Sequence, residues 1–440
     1  MVYNYFGKKI LILGIGLTGI SCIHFFLKQG IKPKIIDESK NPIFFIKIPK
    51  NIEYSLGSLE HKWILESDLI IISPGISSFR PILIQARSLG IEIISDIELF
   101  VREISSPIIA ITGTNGKSTV ATMITKIAKN SGCNALLGGN IGYPVLNLLD
   151  KNTDLYIIEL SSFQLENTFN LKAKIAVILN IHKDHINRYP KGFEQYKKTK
   201  LSIYHKADIC IMNAYDKLND IFYKNNQHYI SFGKKDSDYY IKKNNASFLF
   251  YHKNKKILNS SELLLSGYHN YHNVLVSIAI ADAMKFSRKY TIHTLKNFSN
   301  LPHRFQTIQS KNGIDWINDS KSTNVNSTQV ALDSVTKKKG TIHLLLGGDS
   351  KSGDFNALKI YFNKKKIKIY CFGKDGIKIS RICKKKSIYV EDLKKAMTLI
   401  STRVKSGDTV LLSPGCSSLD QFTNFEERGN LFVKLTKEIT

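Results

Sequence analysis

The chain has 440 residues, of which 43% are hydrophobic and 22% charged, so it can bury several cores without a disulfide or metal staple. Its formal net charge of +27 rests on 63 basic residues of which only nine are arginine, and the lysines are scattered; we therefore predict a solvated surface and no nucleic-acid partner. The six cysteines form no C-x-x-C pair, which argues against a zinc site and favours the cytoplasm. No run of 18 apolar residues occurs, which argues against a membrane span.

The first unit alternates short apolar runs with helical patterns. The runs "KKILILG" (8–14) and "DLIIISPG" (68–75) are typical of buried parallel strands, and a further strand ends at Asp37. A helix is predicted from Thr18 to Gln29 between the first two strands of the chain. Strands that alternate with helices predict a parallel sheet with right-handed crossovers, so we assign residues 1–95 to one α/β domain.

The same pattern restarts twice. Strands are predicted at "SPIIAITG", "LYIIELSS", "KIAVILN" and "DICIMN", followed by a polar antiparallel excursion over 232–262 and a helix over 268–284, which defines a central domain at 96–300. A third α/β domain at 301–440 has strands at "TIHLLLGG", "KIYCFG" and "DTVLLSPG" and a final helix over about 425–438. The predicted fold class is therefore α/β with three domains.

Two glycine-rich loops follow predicted strands. The first, "GIGLTG" (14–19), has the G-x-G-x-x-G spacing of a Rossmann-like phosphate-binding turn, with Asp37 at the distance expected for a ribose contact. The second, "GTNGKST" (113–119), lacks one glycine of the strict P-loop because position 111 is Ile. Lys117 can still meet the β- and γ-phosphates of a nucleotide, and Ser118 or Thr119 can bind Mg²⁺. A plain strand-to-helix turn is the alternative for each loop.

Metal-competent side chains follow two further strands. Glu159 ends one predicted strand, and Asp184 and His185 follow another. Open α/β sheets bind ligands at the carboxyl ends of their strands, so these groups suit Mg²⁺ bound to nucleotide phosphates. A structural histidine is the alternative.

Five longer motifs resemble the Mur ligase family. They are "AITGTNGKST", "IELSSFQLE", "LPHRF", "INDSKSTN" and "LSPGCSSLDQF", and the similarity covers essentially the whole chain. It implies a Rossmann-like N-terminal domain, a central P-loop ATPase domain with a parallel sheet, and a Rossmann-like C-terminal domain. It also implies an acid–amino-acid ligase, a monomer, that joins D-glutamate to UDP-N-acetylmuramoyl-L-alanine through an acyl phosphate, with ATP and two Mg²⁺ ions, in peptidoglycan precursor synthesis.

The resemblance also implies roles for residues that match the motifs of the family. Lys117, Lys200, His185 and Arg304 are expected to be catalytic, and Lys200 to be carbamylated; without the family, Lys200 would be one more surface lysine on a Lys-rich helix. Metal ligands are expected at Ser118, Glu159, His185 and carbamylated Lys200. The nucleotide is expected to contact Gly113, Thr114, Asn115, Gly116, Lys117, Ser118, Thr119, Asn270, Asn273, His303, Arg304, Asp319 and Lys321.

The two other substrates are expected to contact Gly16, Leu17, Thr18, Ser73, Gly75, Asn140, Ser161, Gln164, His185, Thr323, Lys351, Ser418 and Phe425. Phe425 as an ordinary core residue is the alternative at that position. The sequence departs from the family at Glu38-Ser39, where Thr-Arg is frequent beside the diphosphate, and at Lys183 and Asn187, where acids are common.

Three other functions stay open on the sequence alone. One is a sibling ligase that adds a different amino acid, including a folylpolyglutamate synthetase. Another is a basic P-loop ATPase that acts on nucleic acid, although aromatic residues interleaved with arginine are missing. A dinucleotide oxidoreductase built on the first loop is the third, and it leaves "GTNGKST" unexplained.

Overall fold

The computed structural model describes residues 3–149, 152–216, 227–245, 247–308, 312–335, 340–351, 353–364, 366–383 and 385–439. Parts of the lysine clusters predicted as surface turns, at 336–340, 363–368 and 383–387, lie outside the described residues. The described part of the chain forms two compact units, one made of Met1–Ile181, Arg188–Leu264 and Asn270–Phe298 and the other of His182–Asn187, Leu265–His269 and Ser299–Thr440.

The strands are β1 (Ile10–Leu13), β2 (Lys34–Asp37), β3 (Tyr54–Leu56), β4 (Leu69–Ile72), β5 (Glu92–Ile94), β6 (Ile108–Thr112), β7 (Ala135–Gly139), β8 (Leu155–Glu159), β9 (Ile175–Ile178), β10 (Ile209–Asn213), β11 (His228–Gly233), β12 (Tyr239–Asn244), β13 (Ser247–His252), β14 (Lys255–Asn259), β15 (Gln306–Ile308), β16 (Asp315–Asn318), β17 (Ile342–Gly347), β18 (Ile367–Phe372), β19 (Ser387–Tyr389) and β20 (Thr409–Leu412).

The helices are α1 (Leu17–Lys28), α2 (His61–Leu65), α3 (Pro81–Ser88), α4 (Asp96–Glu103), α5 (Lys117–Asn130), α6 (Ser162–Leu165), α7 (Gly192–Leu201), α8 (Tyr268–Ala283), α9 (Arg288–Lys296), α10 (Val325–Val335), α11 (Lys359–Lys364), α12 (Gly376–Ser380), α13 (Leu393–Ser401) and α14 (Phe425–Ile439).

The first sheet has the order β3-β2-β1-β4-β5 and is parallel throughout. Every residue of β1 and β4 is buried, which is why both strands consist of apolar residues without polar alternation. The strand order changes direction between β1 and β4, so the loops after these two strands lie next to each other at the usual ligand crevice of such sheets. The N–H of Ser73, after β4, donates to the carbonyl of Leu13 in β1 at 2.8 Å.

The second sheet has nine strands in the order β14-β13-β12-β11-β10-β9-β6-β8-β7. Strands β6 to β11 pair in parallel, whereas β12, β13 and β14 form an antiparallel meander. The predicted excursion over 232–262 is thus confirmed, and the sheet as a whole is mixed. The strand β6 lies between β8 and β9, so residues that follow these three strands meet at one edge.

The third sheet, in the second unit, has the order β15-β16-β20-β17-β18-β19 and is parallel except for the short edge strand β15. Its two faces are covered by separate cores, one against α10 and α12 and the other against α13 and α14. The strand Ile342–Gly347 is buried along its whole length. The final helix, predicted over about 425–438, spans Phe425–Ile439.

Among the residues that the structure describes, no helix combines the length and the apolar composition needed to span a bilayer.

Candidate active site

The phosphate loop 113–119 connects β6 to α5. Gly113 and Gly116 have φ angles of 151° and 88°, which glycine adopts without strain. A Cβ atom at Gly116 would lie 2.6 Å from the side-chain oxygen of Asn273, and one at Gly113 would lie 3.0 Å from the Cβ of Leu179. Both glycines are therefore needed for close packing as well as for the turn. The loop enters a helix of 14 residues, whose first N–H groups and dipole favour an anion.

Asn180, two residues after β9, holds this loop in place. Its side-chain oxygen accepts from the N–H of Asn115 at 2.9 Å, and its amide donates to the carbonyl of Asn115 at 3.0 Å. Its backbone carbonyl accepts from the N–H of Thr114 at 2.9 Å. Three hydrogen bonds thus fix the first half of the loop on the neighbouring strand end.

Lys117 folds back over the same loop. Its ammonium group donates to the carbonyls of Gly113 at 2.9 Å and Thr114 at 3.0 Å. Ser118 and Thr119 are buried at the first turn of α5. The loop therefore presents a cation and two hydroxyl groups around the helix N-terminus, which is a suitable set for a triphosphate and its metal ion.

Lys200 is buried at 2% exposure, although it lies on a helix with two other lysines. Its ammonium nitrogen is 3.2 Å from the Thr112 hydroxyl and 3.1 Å from the Gly113 carbonyl oxygen, and lies 5.0 Å from the centre of the Tyr196 ring. The Tyr196 hydroxyl is in turn 3.0 Å from that of Thr114. The interpretation of Lys200 as a surface residue is wrong, because the side chain points to the base of the phosphate loop.

Glu159, the last residue of β8, is buried at 1% exposure, and its carboxylate accepts from the side-chain amide of Asn140 at 2.8 Å. Two residues further on, the Ser161 hydroxyl accepts from the Gln164 N–H, and the Gln164 side chain accepts from the Ser161 N–H. This capping box starts the short helix α6 and fixes both side chains. Asn140, Ser161 and Gln164, predicted to bind one substrate, thus lie around the end of one strand.

Asn270 and Asn273 lie on α8 and are both buried. Their side chains are 3.5 Å apart, and Asn273 packs against Gly116. The predicted nucleotide contacts at Asn270 and Asn273 are therefore adjacent to the phosphate loop.

The first glycine loop lies in a cavity at the crevice of the first sheet. The cavity is lined by Gly14, Ile15, Gly16, Thr18, Asp37, Glu38, Ser73, Pro74, Gly75 and Ile76. Asp37 accepts from the N–H of Ile15 at 2.6 Å and from that of Ser39 at 2.8 Å, so its carboxylate supports the loop itself. Leu17, also predicted here, is 53% exposed. The unexpected acid at Glu38 is paired with Arg80 at 2.6 Å.

In the second unit, His303 and Asn318 form a buried pair. The Asn318 amide donates to the carbonyl of Gly429 at 3.0 Å and lies 3.0 Å from Nδ1 of His303. Since the amide nitrogen of Asn318 can only donate, Nδ1 of His303 accepts, and in the neutral ring the proton is on Nε2. Burial lowers the pKa of His303, although the nearby Glu426 opposes the shift, and this keeps the ring neutral. A Cβ at Gly429 would lie 2.3 Å from Nδ1, so only glycine fits there.

Asp319 is half-buried, and the charge of the predicted nucleotide contact Arg304 acts on its carboxylate. Burial raises the pKa of Asp319 to about 7, against hydrogen bonds from the Ser413 hydroxyl and the Phe305 N–H that favour the carboxylate. The ammonium of Lys321 lies 3.7 Å from the centre of the Phe425 ring. Phe425 is only half-buried, and its ring also faces His303 edge-on at 6.3 Å, so it is not an ordinary core residue.

Lys351 and Ser418 are placed by neighbouring loops of the third sheet. Burial lowers the pKa of Lys351, while the charges of Asp184 and Asp349 act in the opposite direction. Ser418 is buried at 3% exposure and Thr323 is half-buried. His185 belongs to the segment 182–187 of this unit, where its N–H donates to the Asp184 carboxylate at 2.9 Å. Asp184 also accepts from the Asn324 amide at 3.1 Å.

Three predicted site residues have left-handed backbone conformations. The φ angles are 53° at His185, 61° at His303 and 48° at Lys351. Each such conformation is unfavourable for a residue with a side chain and is common at functional positions. These angles support a functional reading of the three residues that does not depend on sequence motifs.

Arg428, on α14, is fully buried and was not predicted from the sequence. It donates to the Ser320 hydroxyl at 3.0 Å and to the carbonyls of Ser320 at 2.8 Å and Cys416 at 3.2 Å. Burial lowers its pKa to about 10. The hydrogen bonds of this guanidinium therefore connect the loop that carries Lys321 to the loop that carries Ser418.

Sequence reasoning also missed Asn180 and Arg188. An asparagine after a strand is typical of any turn, so Asn180 gave no signal. The rarity of arginine in a lysine-rich chain was a usable signal for Arg188 and Arg428, since arginine is preferred where a buried cation must make several hydrogen bonds.

Within the described ranges, no group of three or more His, Cys, Asp or Glu side chains is placed to hold a metal ion. The predicted ligands Ser118, Glu159 and Lys200 lie in the first unit, where the first two are buried oxygen donors of the kind that Mg²⁺ prefers.

Comparison with known proteins places all three parts of the chain in one family. Residues 8–95 match the N-terminal domain of Mur ligase MurD-like proteins, 111–281 the Mur ligase middle domain, and 303–416 the Mur ligase glutamate ligase domain. The chain is 74% identical to the UDP-N-acetylmuramoylalanine--D-glutamate ligase of Buchnera aphidicola subsp. Acyrthosiphon pisum, over 100% of both chains. It is 47% identical to the enzyme of that name from Shigella dysenteriae, over 99% of both chains.

Two solved structures from Thermotoga maritima support the fold. The UDP-N-acetylmuramate-alanine ligase superposes with a TM-score of 0.64 at 19% identity, covering 98% of this chain and 100% of the other. The MurF ligase in complex with ADP superposes with a TM-score of 0.65 at 17% identity, covering 100% of this chain and 98% of the other. With three family models that match residues 8–95, 111–281 and 303–416, the chain belongs to the Mur ligase family.

Proposed function

We propose that the chain joins the carboxylate of UDP-N-acetylmuramoyl-L-alanine to the amine of D-glutamate, with ATP cleaved to ADP and phosphate, as a step in peptidoglycan precursor synthesis. The observation that carries the proposal is the 74% identity, over the full length, to a relative named for this reaction. The phosphate loop, the buried Lys200 and the cavity of the first sheet supply the groups that the reaction requires.

The first step activates the carboxylate. A carboxylate oxygen attacks the γ-phosphorus of ATP, the bond between that phosphorus and the β,γ-bridging oxygen breaks, and ADP leaves. The product is an acyl phosphate, in which a poor electrophile has gained a good leaving group. Because two anions must approach each other, the loop N–H groups and the ammonium of Lys117 favour the step by screening their charge.

The second step forms the amide. The D-glutamate amine attacks the acyl carbon, the tetrahedral intermediate expels phosphate, and the nitrogen loses a proton. Lys351 and the hydroxyls of Thr323 and Ser418 suit the recognition of the D-glutamate carboxylates. Arg304 is proposed to stabilise charge on the transferred phosphoryl group, and His303, Asp319 and Lys321 to contact the nucleotide.

Magnesium fits this site because the neighbouring donors in the first unit are oxygen atoms, and when bound it neutralises phosphate charge. The ligands proposed for two ions are Ser118, Glu159, His185 and carbamylated Lys200. The carbamate forms when the Lys200 ammonium loses a proton, the neutral amine attacks carbon dioxide and the nitrogen releases a second proton, so that a cation is replaced by an anion. The burial of this side chain at the base of the phosphate loop supports a role for Lys200 in the site.

The other assignments rest on the resemblance to the family, and the lining of the first cavity by Gly16, Thr18, Ser73 and Gly75 supports part of them. Gly16, Leu17, Thr18, Ser73 and Gly75 are proposed to hold the UDP end of the substrate, and Asn140, Ser161, Gln164 and His185 its muramoyl end. The domain limits remain 1–95, 96–300 and 301–440, and we expect a cytoplasmic monomer without a nucleic-acid partner.

A labelled-substrate assay tests the function and the intermediate together. UDP-N-acetylmuramoyl-L-alanine with ¹⁸O in its free carboxylate is incubated with ATP, Mg²⁺ and D-glutamate, and the phosphate is analysed by mass spectrometry. We expect one ¹⁸O in each phosphate released, because the acyl phosphate breaks at its acyl carbon. Phosphate release that depends on L-alanine, L-lysine or diaminopimelate in place of D-glutamate would refute the substrate assignment, and unlabelled phosphate would refute the intermediate.

A further inference from the structure

Arg188 connects two loops to which different ends of one substrate are assigned. It lies in the first unit, and its side chain is only 10% exposed. Nε and Nη2 donate to the two carboxylate oxygens of Glu166, each at 2.9 Å, in a bidentate pair. The guanidinium carbon also stacks on the Phe163 ring, 4.0 Å from its centre.

The other hydrogen bonds of Arg188 go to the loop that follows β4. Nη1 donates to the carbonyl of Pro74 at 2.9 Å, and Nη2 donates to that of Ile76 at 2.9 Å. These residues line the cavity of the first sheet, together with Ser73 and Gly75. A single side chain therefore fixes the backbone of the cavity loop.

Glu166 connects Arg188 to the helix α6, where the muramoyl end of the substrate is assigned. It follows α6 directly, whose first turn is built from the capping box of Ser161 and Gln164. Glu166 is 2% exposed at its side chain, and it also accepts from the Ser78 hydroxyl at 2.9 Å. Because the pair is buried and bidentate, it resists small rotations that an exposed pair would allow.

We propose that Arg188 is a positioning residue that sets the spacing between the cavity loop 73–76 and the start of α6, and thereby couples the binding of the two ends of the UDP-muramoyl substrate. The inference rests on the proposed function, since it takes the cavity as the UDP site and α6 as the muramoyl site. Only arginine suits this position, because its planar guanidinium can donate to a carboxylate and two carbonyls at the same time, whereas lysine has one compact ammonium group.

The test compares Arg188→Lys with Arg87→Lys. Arg87 provides a matched control because it also joins these two segments, but its hydrogen bonds go to the Ser78 carbonyl and to the Asn167 side chain. For each variant, KM is measured for all three substrates, and Kd is measured for UDP alone, which can occupy only the cavity end. For Arg188→Lys we expect KM for UDP-N-acetylmuramoyl-L-alanine to rise about 10- to 100-fold, with KM for ATP and Kd for UDP within about threefold of wild type.

A second variant covers a failure of Arg188→Lys to fold. Glu166→Gln keeps one acceptor oxygen but replaces the other with an NH₂ group, so it removes the charge and one of the two hydrogen bonds that orient Arg188. The same selective rise in KM is expected at a smaller size. The inference is overturned by a wild-type KM for the UDP substrate in both variants, or by equal increases of all three KM values, which indicate general loosening. A wild-type enzyme that is inactive with UDP-N-acetylmuramoyl-L-alanine refutes the proposed function instead, so the two failures are distinct.

Discussion

The ammonium nitrogen of Lys200 lies 3.1 Å from the carbonyl oxygen of Gly113, at the base of the phosphate loop. The neighbouring sequence is lysine-rich and polar, which predicts an exposed side chain, but Lys200 is buried in contact with the phosphate loop. A change of charge at this nitrogen therefore changes the electrostatic potential at the position expected for the γ-phosphate.

Lys200→Ala should lower kcat by about 100-fold or more, because it removes a charged group at the site of phosphoryl transfer. Short carboxylic acids should restore part of the activity if the acting group is a carbamate. Lys198→Ala is the control, since Lys198 is exposed on the same helix. In addition, ¹³C-bicarbonate should produce a carbamate NMR signal in wild type and in Lys198→Ala, but not in Lys200→Ala. Normal turnover by Lys200→Ala would remove the carbamate from the proposal.

Gly116→Ala should raise KM for ATP by about 10- to 100-fold, because the new methyl group would lie 2.6 Å from Asn273 Oδ1 and shift the loop. Gly132→Ala, at a position just after the C-terminus of α5, is the control that separates the clash with Asn273 from backbone strain. Gly132 has a φ of 85°, close to the 88° of Gly116, but its added Cβ would meet no heavy atom within 4 Å. We expect similar losses of melting temperature in both variants and a normal KM in Gly132→Ala; equal KM values would contradict the packing argument.

Asp96→Asn should change the pH dependence of stability. Burial raises the pKa of Asp96 to about 7, although hydrogen bonds from Gln164 and the backbone favour the carboxylate. Between about pH 4 and pH 7 the folded protein keeps a proton that the unfolded chain has released, so the free energy of unfolding falls as the pH rises. The variant should therefore gain stability over wild type across this window, up to roughly 4 kcal/mol above pH 7. Urea unfolding at a series of pH values measures the difference.

Glu98→Gln, on the same helix, should show the opposite sign. Burial acts to raise the pKa of Glu98, but hydrogen bonds from Asn170 and Phe169 outweigh it and hold the pKa below its ordinary value. Wild type should then be more stable than this variant at neutral pH, and the difference should shrink as the pH falls through the pKa of the folded state. Parallel pH profiles for the two variants would contradict both assignments.

Arg428→Met should lower the free energy of unfolding by roughly 3–5 kcal/mol, because the buried carbonyls of Ser320 and Cys416 lose their donor. It should also raise KM for D-glutamate, since these carbonyls belong to the loops that carry Lys321 and Ser418. Arg381→Met, an exposed arginine of the same unit, is the control for stability. A variant with full stability would show that the carbonyls find other donors.

Strand and helix positions were largely predictable, because buried parallel strands leave a strong apolar signal between polar turns. The helix predicted from Thr18 to Gln29 was found at Leu17–Lys28, and the strand that ends at Asp37 was confirmed. The phosphate loop was recognisable because glycine at 113 and 116 is a backbone requirement that sequence displays directly.

The remaining parts of the site depend on contacts between distant segments, which a local pattern does not contain. Lys200 is buried by the loop after β6, 87 residues away, and not by the amphipathic character of its own helix. The spacing of Asp37 predicts a ribose contact, but no local pattern shows that its carboxylate also accepts from the Ile15 N–H. The pairing of Glu38 with Arg80, which accounts for the acid beside the cavity, joins residues 42 positions apart.

The left-handed backbone at His185, His303 and Lys351 has a consequence for laboratory evolution. Glycine would adopt these conformations at lower cost, by about 1 kcal/mol or more at each position. A library selected only for heat resistance should therefore enrich glycine at the three positions and accumulate stable proteins without ligase activity. Selection for activity and selection for melting temperature should therefore favour different sequences, and the two selected libraries should differ first at the codons of His185, His303 and Lys351.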